Sequence, residues 1–260
     1  MNARIAPELV SPELLALTRA LGRPERDLVI LAEGNTSELL DGGELVVKAS
    51  GSSMGQASED TFVVVELDPL LRILRDPAAG QADLTAALAA TDAAGNRVRA
   101  SIESLVHAAV RAFAPVRYVA HTHPTDVVAL LASAAAETAF AEPVYSEEYM
   151  VLGRSLFVPY AEPGLELGRL FLSRLEAYVA AHGETPSLIL LGNHGIVALS
   201  DTVAGAEAIS LMAVKSARVR LGARIAGGVA ALDSATTADY FNRPDFRERR
   251  EHLAGTQPGA

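Results

Sequence analysis

Cysteine and tryptophan are absent from this 260-residue chain, and lysine occurs only twice, as Lys48 and Lys215. Without cysteine there can be no disulfide framework, cysteine-type zinc finger, iron–sulfur cluster or thiol nucleophile. The 22 basic residues are outnumbered by 32 acidic ones, and the net charge of −10 argues against a nucleic-acid groove or an anionic membrane surface as partner. No apolar run approaches the roughly 20 residues of a spanning helix, and the N-terminus is not typical of a signal peptide. These absences predict a soluble, cytoplasmic globular protein.

The hydrophobic pattern predicts an α/β protein. Half of the residues are apolar, so the chain can bury a sizeable core. Short apolar runs alternate with amphipathic segments, which is typical of a sheet covered by helices on one or both faces. We predict helices over 11–22, 101–113, 124–132, 164–181 and 201–221, with Ser11 as the cap of the first and Asp201 as the cap of the last. We predict strands over 27–31, 62–65, 116–121, 155–158, 188–191 and 196–199, and a β-hairpin over 39–47. Residues 80–95 fit either a helix or a mobile excursion. The simplest division is one domain, 1–232, followed by a polar C-terminal extension, 233–260.

Three of the six histidines have the placement of metal ligands. His121 and His123 end an apolar strand, and positions i and i+2 of a strand point to the same face. His194 follows another apolar strand in a glycine-flanked turn. Three neutral imidazoles with an open fourth position describe a catalytic divalent-metal centre. The alternative is that these histidines are ordinary polar residues at strand ends. We expect no metal-binding role for His182, which would complement the dipole at a helix C-terminus, or for His252, which would be solvated in the polar extension.

Glu103 and two small-residue turns add possible chemistry to this metal centre. Glu103 precedes His107 by four residues in the predicted helix, and it either complements the helix dipole behind a Ser101 cap or exchanges a proton with a metal-bound substrate. The turns 34–37 and 50–53 could cradle an anion with backbone N–H groups, although such clusters are usually ordinary turns. Lys48 lies just before the second turn and would supply a local cation.

Five short segments occur along the chain in the order GNTS (34–37), KASG (48–51), SIESLVH (101–107), HTHP (121–124) and NHG (193–195). Together they resemble the class II aldolase/adducin family, which includes L-fuculose-phosphate and L-rhamnulose-phosphate aldolases and L-ribulose-5-phosphate 4-epimerase. The resemblance covers roughly residues 10–222. Two further segments, VPYAEPGLELG and LGNHGIVAL, look most like the aldolase half of bifunctional rhamnulose-phosphate aldolase/dehydrogenase proteins. No GxGxxG motif of a dehydrogenase half follows a strand.

The resemblance implies a three-layer α/β fold with a central, mainly antiparallel sheet covered by helices. It also implies a metal-dependent aldolase that cleaves a phosphorylated ketose, with Glu103 as the acid/base carboxylate. A tyrosine from a neighbouring subunit would act on the leaving aldehyde; alignment places Tyr145 there, with Tyr149 one helical turn away. The oligomer would be a homotetramer. The implied ligands of Zn²⁺, or of Mn²⁺, Fe²⁺ or Co²⁺, are His121, His123 and His194, and the implied phosphate site comprises Gly34, Asn35, Ser50, Gly51 and Ser101, with Lys48 nearby.

Residue 103 separates the possible reactions only weakly, and residue 102 departs from the phosphate-binding pattern of the fuculose-phosphate type. In the epimerase branch the residue that corresponds to position 103 looks like Asp, so Glu103 favours an aldolase or a related lyase. The fuculose-phosphate type has a Ser-Ser pair before the glutamate, whereas this chain has Ser101-Ile102 and lacks one hydroxyl. An epimerase, a decarboxylase or a dehydratase of a sugar phosphate is the alternative on the same fold. A non-catalytic, adducin-like interaction module is a further alternative, and it should lack the metal ligands.

Overall fold

A computed structural model describes residues 3–92, 94–233, 237, 243–245 and 248. Most of the predicted extension, including His252, lies outside these residues. The strands are β1 Ala3–Arg4, β2 Asn35–Leu39, β3 Glu44–Lys48, β4 Phe62–Glu66, β5 Ala89–Thr91, β6 Arg97–Arg99, β7 Tyr118–Thr122, β8 Leu156–Val158, β9 Leu188–Leu191 and β10 Gly195–Ser200. The α-helices are α1 Pro12–Leu21, α2 Leu67–Arg75, α3 Gln81–Leu88, α4 Ser104–Arg111, α5 Thr125–Leu131, α6 Ser146–Leu152, α7 Leu165–His182 and α8 Val203–Ile225.

The described strands build a central sheet between two helical layers. Eight of them are ordered β1-β4-β3-β2-β7-β10-β9-β8, and only the β8–β9 pair is parallel. One apolar core lies between the sheet and α2, α3, α4 and α7, and a second lies between the sheet and α1, α5, α6 and α8. The predicted α/β class, with a mainly antiparallel sheet covered by helices, is confirmed. Among the described helices, none is both long and apolar enough to span a membrane.

Local capping signals locate some helix ends correctly and others one to three residues away. Ser11 caps α1 as predicted, because its Oγ accepts a hydrogen bond of 3.0 Å from Leu14 N. The predicted Asp201 cap of α8 is wrong, since Thr202 occupies that position and its Oγ1 accepts from Gly205 N at 3.0 Å. The helix predicted from residue 101 begins at Ser104, so Ser101 is not its cap. The sequence patterns did not indicate α2 or α6.

Two predictions around β2 are wrong. Residues 27–31 do not form a strand, because Asp27 and Leu31 adopt left-handed backbone with φ of 53° and 51°. Residues 35–37, predicted as part of a turn, belong to β2 and pair with β7. The region 80–95, for which we predicted either a helix or a mobile excursion, forms helix α3 in its first half and strand β5 after it.

The register of β7 determines which face its histidine occupies. His121 lies opposite Asn35 of β2 on one side and Val197 of β10 on the other. Side chains alternate along β7, so Val119 points into the α4 side of the sheet and Tyr118 and Ala120 into the opposite core. The imidazole of His121 therefore lies on the face that α4 covers.

Glycine at position 195 permits the close approach of β10 to the end of β7. A Cβ added to Gly195 would lie 2.4 Å from Thr122 O and 2.7 Å from His123 Cδ2. We expect Gly195→Ala to lower the free energy of unfolding by ~1–3 kcal/mol, because backbone and imidazole must shift. Gly222→Ala is the matched control: a Cβ there meets nothing within 4 Å on an exposed turn of α8, and alanine should stabilise the helix by roughly 0.5–1 kcal/mol. Urea denaturation measures both, and equal effects of the two substitutions would contradict this explanation.

Candidate metal centre

Four side chains converge at the end of β7. His121 Nε2 lies 2.8 Å from His123 Nε2 and 3.2 Å from Glu103 Oε2, and His194 Nε2 lies 2.9 Å from Glu103 Oε1. The three imidazole centroids are separated by 4.7–4.9 Å. One potential ligand atom from each of the four residues lies within 4.8 Å of the others. The structure therefore brings together the three predicted metal ligands and the predicted acid/base carboxylate.

Three different elements deliver these side chains. His121 is in β7 and His123 follows it. His194 lies in the three-residue turn between β9 and β10, where Asn193 takes a left-handed φ of 52° and His194 N donates to Leu191 O at 3.1 Å. Glu103 occupies the N-cap position of α4, but its side chain makes no capping hydrogen bond and turns to the histidines instead. His194 meets His121 because β10 pairs with β7, and Glu103 reaches both histidines from the start of α4.

The chemistry of this donor set fits a divalent metal ion. His121 Nδ1 lies 2.8 Å from Ile196 O, and donation to that carbonyl leaves the lone pair on Nε2, which points into the cluster. Three imidazoles with a neighbouring carboxylate suit Zn²⁺ and related divalent ions. His194 Nδ1 is buried and has no hydrogen-bond partner among the described residues, so all of its polar contact is on the cluster side. The cluster could therefore hold a metal ion.

Electrostatics couples the carboxylate to the histidines. Burial acts to raise the pKa of Glu103, but the adjacent imidazoles of His121 and His194 hold it well below its ordinary value. Burial acts to lower the pKa of His121, whereas Glu103 raises it above its ordinary value. Burial, followed by the neighbouring imidazoles of His121 and His194, lowers the pKa of His123 to about 3. Glu103 is therefore ionised, and His123 is neutral and able to donate a lone pair.

Asn35 and Ser101 hold the carboxylate of Glu103 in place. Asn35 Nδ2 donates to Glu103 Oε2 at 2.8 Å and to Ser101 Oγ at 3.1 Å. Glu103 N donates to the same Ser101 Oγ at 3.3 Å. Gly34 precedes Asn35 with a φ of 65°, and a Cβ there would lie 2.7 Å from His121 O. The predicted phosphate residues Gly34, Asn35 and Ser101 therefore adjoin the metal centre.

Lys48 donates hydrogen bonds to backbone carbonyls of two segments, one before β2 and one after β3. Its ammonium is buried and donates to Ser52 O at 2.6 Å, Ala49 O at 3.2 Å and Ala32 O at 3.4 Å. Burial lowers the pKa of Lys48 to about 8, against the opposing effect of Glu103. Ser50 and Gly51 are exposed beside it, so the turn they form is open to solvent.

Tyr145 lies in the opposite helical layer from Glu103. It precedes α6, its Oη contacts Met212 Sδ at 2.9 Å, and Lys215 Nζ lies 5.2 Å from its ring centroid. Burial and the nearby Glu148 and Glu147 raise the pKa of Tyr145 to about 12. The structure does not bring Tyr145 to the metal centre of its own chain.

A buried polar network beneath the centre was missed at the sequence level. Arg111 Nη1 donates to Ser37 Oγ at 2.9 Å, and Ser37 Oγ lies 2.6 Å from His107 Nδ1. Ser37 Oγ accepts from Arg111 and also shares a hydrogen bond with His107 Nδ1, whose direction depends on the imidazole tautomer. Burial and the charge of Arg111 hold the pKa of His107 well below its ordinary value. The four-residue spacing of Glu103, His107 and Arg111 on α4 was the available signal.

Removing the central hydroxyl of this network tests its contribution. We expect Ser37→Ala to lower the free energy of unfolding by ~1–3 kcal/mol, because the buried Arg111 loses an acceptor and His107 Nδ1 loses its hydrogen-bond partner. The control is Ser173→Ala on an exposed position of α7, which should change stability by less than ~0.5 kcal/mol. Urea denaturation followed by circular dichroism gives both values. A neutral Ser37→Ala would show that the network adds nothing to stability.

A cavity of about 390 Å³ opens beside His123 and His194. Two carboxylates, Asp27 and Glu33, are among the residues that line it, and none of the described lining residues is a lysine or an arginine. The cavity is therefore a poor place for an anionic group and a suitable one for a neutral, hydroxyl-bearing group.

Comparison with solved structures agrees with this fold. An aldolase II superfamily protein from Pseudomonas syringae has a TM-score of 0.61 at 17% identity, covering 95% of this chain and 94% of that one. L-fuculose-1-phosphate aldolase from Thermus thermophilus has a TM-score of 0.57 at 20% identity, covering 84% and 98%. The N-terminal class II aldolase domain of a Thermoplasma acidophilum protein has a TM-score of 0.59 at 20% identity, covering 80% and 92%.

Comparison at the level of sequence gives the family directly. A search of curated proteins finds no match. The family model described as "Class II Aldolase and Adducin N-terminal domain" matches residues 12–221, a span that contains the cluster of Glu103, His121, His123 and His194. The chain belongs to the class II aldolase and adducin N-terminal domain family.

Proposed function

We propose that this protein is a divalent-metal-dependent aldolase that cleaves a small phosphorylated ketose by a retro-aldol reaction. The observation that carries the proposal is the convergence of Glu103 with His121, His123 and His194. A non-catalytic interaction module has no need of such a cluster. The similarity to L-fuculose-1-phosphate aldolase and to a sugar-phosphate aldolase from Thermotoga maritima supports the choice of reaction. The proposal includes the cytoplasmic location predicted from the sequence.

The three imidazoles would hold the metal ion, with Zn²⁺ as the first choice for this donor set. When bound, the ion supplies Lewis-acid stabilisation of the negative charge that develops on substrate oxygen as the carbon–carbon bond breaks. Glu103 exchanges the proton at the carbon next to the ketose carbonyl. In the cleavage direction the substrate hydroxyl loses a proton as the carbon–carbon bond breaks, and Glu103 delivers a proton to that carbon; in the reverse direction its ionised carboxylate removes it. The Asn35 amide fixes the direction of the carboxylate.

The two ends of the substrate are proposed to lie on opposite sides of the histidines. The phosphate lies toward Gly34, Asn35, Ser101 and the open turn of Ser50 and Gly51. The hydroxyls of Ser50 and Ser101 would bind it there, since the backbone N–H groups of these two residues already donate to Arg99 O and Lys48 O. Lys48 contributes its positive charge from beneath this turn, since backbone carbonyls already accept its hydrogen bonds. The uncharged aldehyde portion occupies the acidic cavity beside His123 and His194.

Substitution of Glu103 separates metal binding from proton transfer. We expect Glu103→Gln to retain the metal and to lower kcat by at least ~10²-fold, because the amide cannot act as a base. Elemental analysis of protein purified without a histidine tag and cleavage assays on ketose 1-phosphates measure the two properties. Glu176→Gln, on an exposed position of α7, is the matched control and should behave like the parent protein.

Two results would reject the proposal. One is a parent protein that holds no divalent metal, or whose activity is unaffected by His121→Ala and His194→Ala. The other is full activity of Glu103→Gln, which would mean that another group is the base.

We also propose that the active form is a homotetramer in which Tyr145 acts on the leaving aldehyde of a neighbouring subunit. Tyr145 lies across the sheet from α4 in its own chain, so only a second subunit could supply it. Each active site would then require Glu103 from one subunit and Tyr145 from the next.

Complementation between inactive variants tests this shared site. We expect Tyr145→Phe to lower kcat by ~10²-fold while leaving the metal content unchanged. Subunits of Tyr145→Phe and Glu103→Gln, unfolded and refolded together in equal amounts, should recover about a quarter of the parental activity, because half of the sites have Glu103 and half of those have a Tyr145 neighbour. Tyr149→Phe is the control. Absence of any recovery, with mixed tetramers shown by native mass spectrometry, would contradict a site shared between subunits, and full activity of Tyr145→Phe would place Tyr145 outside the site.

A further inference from the structure

Glu33 is held against the outer side of His123. Its backbone N–H donates to Ile30 O at 3.0 Å, and its Oε2 accepts from Ile30 N at 3.1 Å, so one short turn fixes both its main chain and its carboxylate. His123 N donates to Leu28 O at 2.8 Å, which ties the histidine to the same connection. As a result, Glu33 Oε2 lies 3.8 Å from His123 Nδ1.

The inner nitrogen of His123 faces the cluster and leaves the outer nitrogen in need of a partner. His123 Nε2 lies 2.8 Å from His121 Nε2, so Nε2 is the atom offered to a metal ion. A neutral histidine that ligates through Nε2 carries its proton on Nδ1. Within the part of the chain that the structure describes, Nδ1 has no hydrogen bond within 3.5 Å, and Glu33 is the carboxylate placed beside it. His121 differs, because its Nδ1 meets the carbonyl of Ile196.

We propose that Glu33 is the outer-shell hydrogen-bond acceptor of His123 and strengthens metal binding through it; this rests on the metal site of the proposed function. The carboxylate would approach Nδ1 by about 1 Å, from 3.8 Å to the ~2.8 Å of a charge-assisted hydrogen bond. The Glu33 side chain is 38% exposed, so this adjustment displaces no packed group. Glu33 is a positioning residue: it fixes the tautomer and orientation of His123 and raises the basicity of its Nε2.

This role explains why the carboxylate belongs at this place in an already acidic protein. A second carboxylate near Glu103 is costly by mutual repulsion unless positive charge lies between the two. A divalent ion on His121, His123 and His194 supplies that charge, and His123 itself separates Glu33 from the ion. Glu33 also contributes negative charge to the cavity beside His123 and His194. This charge distinguishes the proposed aldehyde side of the site from the proposed phosphate side.

The affinity of the apoprotein for Co²⁺ and Zn²⁺, measured by competition with a chromophoric chelator, tests the proposal. Glu33→Gln keeps the size of the side chain and an oxygen for Ile30 N but removes the charge, and we expect its Kd to rise about tenfold. Glu33→Ala removes the acceptor and should raise Kd by up to about 100-fold. The Co²⁺ absorption bands of both variants should shift, because the ligand field at His123 changes.

Glu25→Gln is the matched control, since Glu25 is exposed earlier in the same connection and the substitution makes the same change in net charge. Its Kd should stay within twofold of the parent value. The proposal is overturned if Glu33→Gln and Glu33→Ala both bind metal as tightly as the parent, or if Glu25→Gln weakens binding equally. Failure of the parent protein to bind either ion would instead reject the proposed function itself. An unchanged urea midpoint for apo Glu33→Gln separates the effect from loss of folding.

Discussion

The hydrogen-bond register of β7 between β2 and β10 is the constraint on which the candidate metal centre depends. It sets His121 opposite Asn35 on one side and opposite Val197 on the other, next to the Ile196 carbonyl that accepts from its Nδ1. A shift of one residue in either pairing would turn the imidazole of His121 to the opposite face of the sheet. The close fit of Gly195 against Thr122 and His123 shows how little space the aligned strands leave.

Hydrogen bonds between β2 and α4 hold the residues beneath the histidines in place. Asn35 and Ser37 lie on one side of β2, where Asn35 holds Glu103 and Ser37 joins His107 to Arg111. Burial lowers the pKa of Arg111 to about 9, which reflects the cost of keeping a guanidinium away from water. Such groups are tolerated because hydrogen bonds to hydroxyls and carbonyls replace their hydration. The start of α4, and with it Glu103, is thereby fixed on the sheet.

The protein is acidic overall, whereas the proposed phosphate site must be positively charged. The chain carries a net charge of −10, yet an anionic substrate needs a positive environment. Lys48 is buried beside the turn of Ser50 and Gly51, where it lies close enough to Glu103 for their charges to interact. A metal ion on the histidines would add the larger share of positive charge. The acidic residues Asp27 and Glu33 lie on the other side, along the cavity beside His123.

Local signals predicted much of the fold because they act over a few residues. Ser11 and Pro12 begin α1 as a cap and a first-turn proline should, and the apolar run 188–191 forms β9. The prediction of β2 was wrong because Asn35-Thr36-Ser37 has the composition of a turn, and pairing with β7 outweighs that preference. The run 27–31 has a strand-like composition, but left-handed backbone at Asp27 and Leu31 bends it around the end of β7.

The chemistry available to this protein follows from its residue types and their local spacing. Without cysteine, a site for a soft metal has to use histidine, and the spacing of His121 and His123 on one strand places both imidazoles on one face. How these groups are assembled into a site depends on the three-dimensional fold. His194 meets His121 through pairing of β10 with β7, Glu103 turns away from its helix toward them, Lys48 bonds to carbonyls, and Glu33 lies behind His123. The reason is physical: residue type and local spacing set what a side chain can do, whereas strand register and buried hydrogen bonding set which side chains it meets.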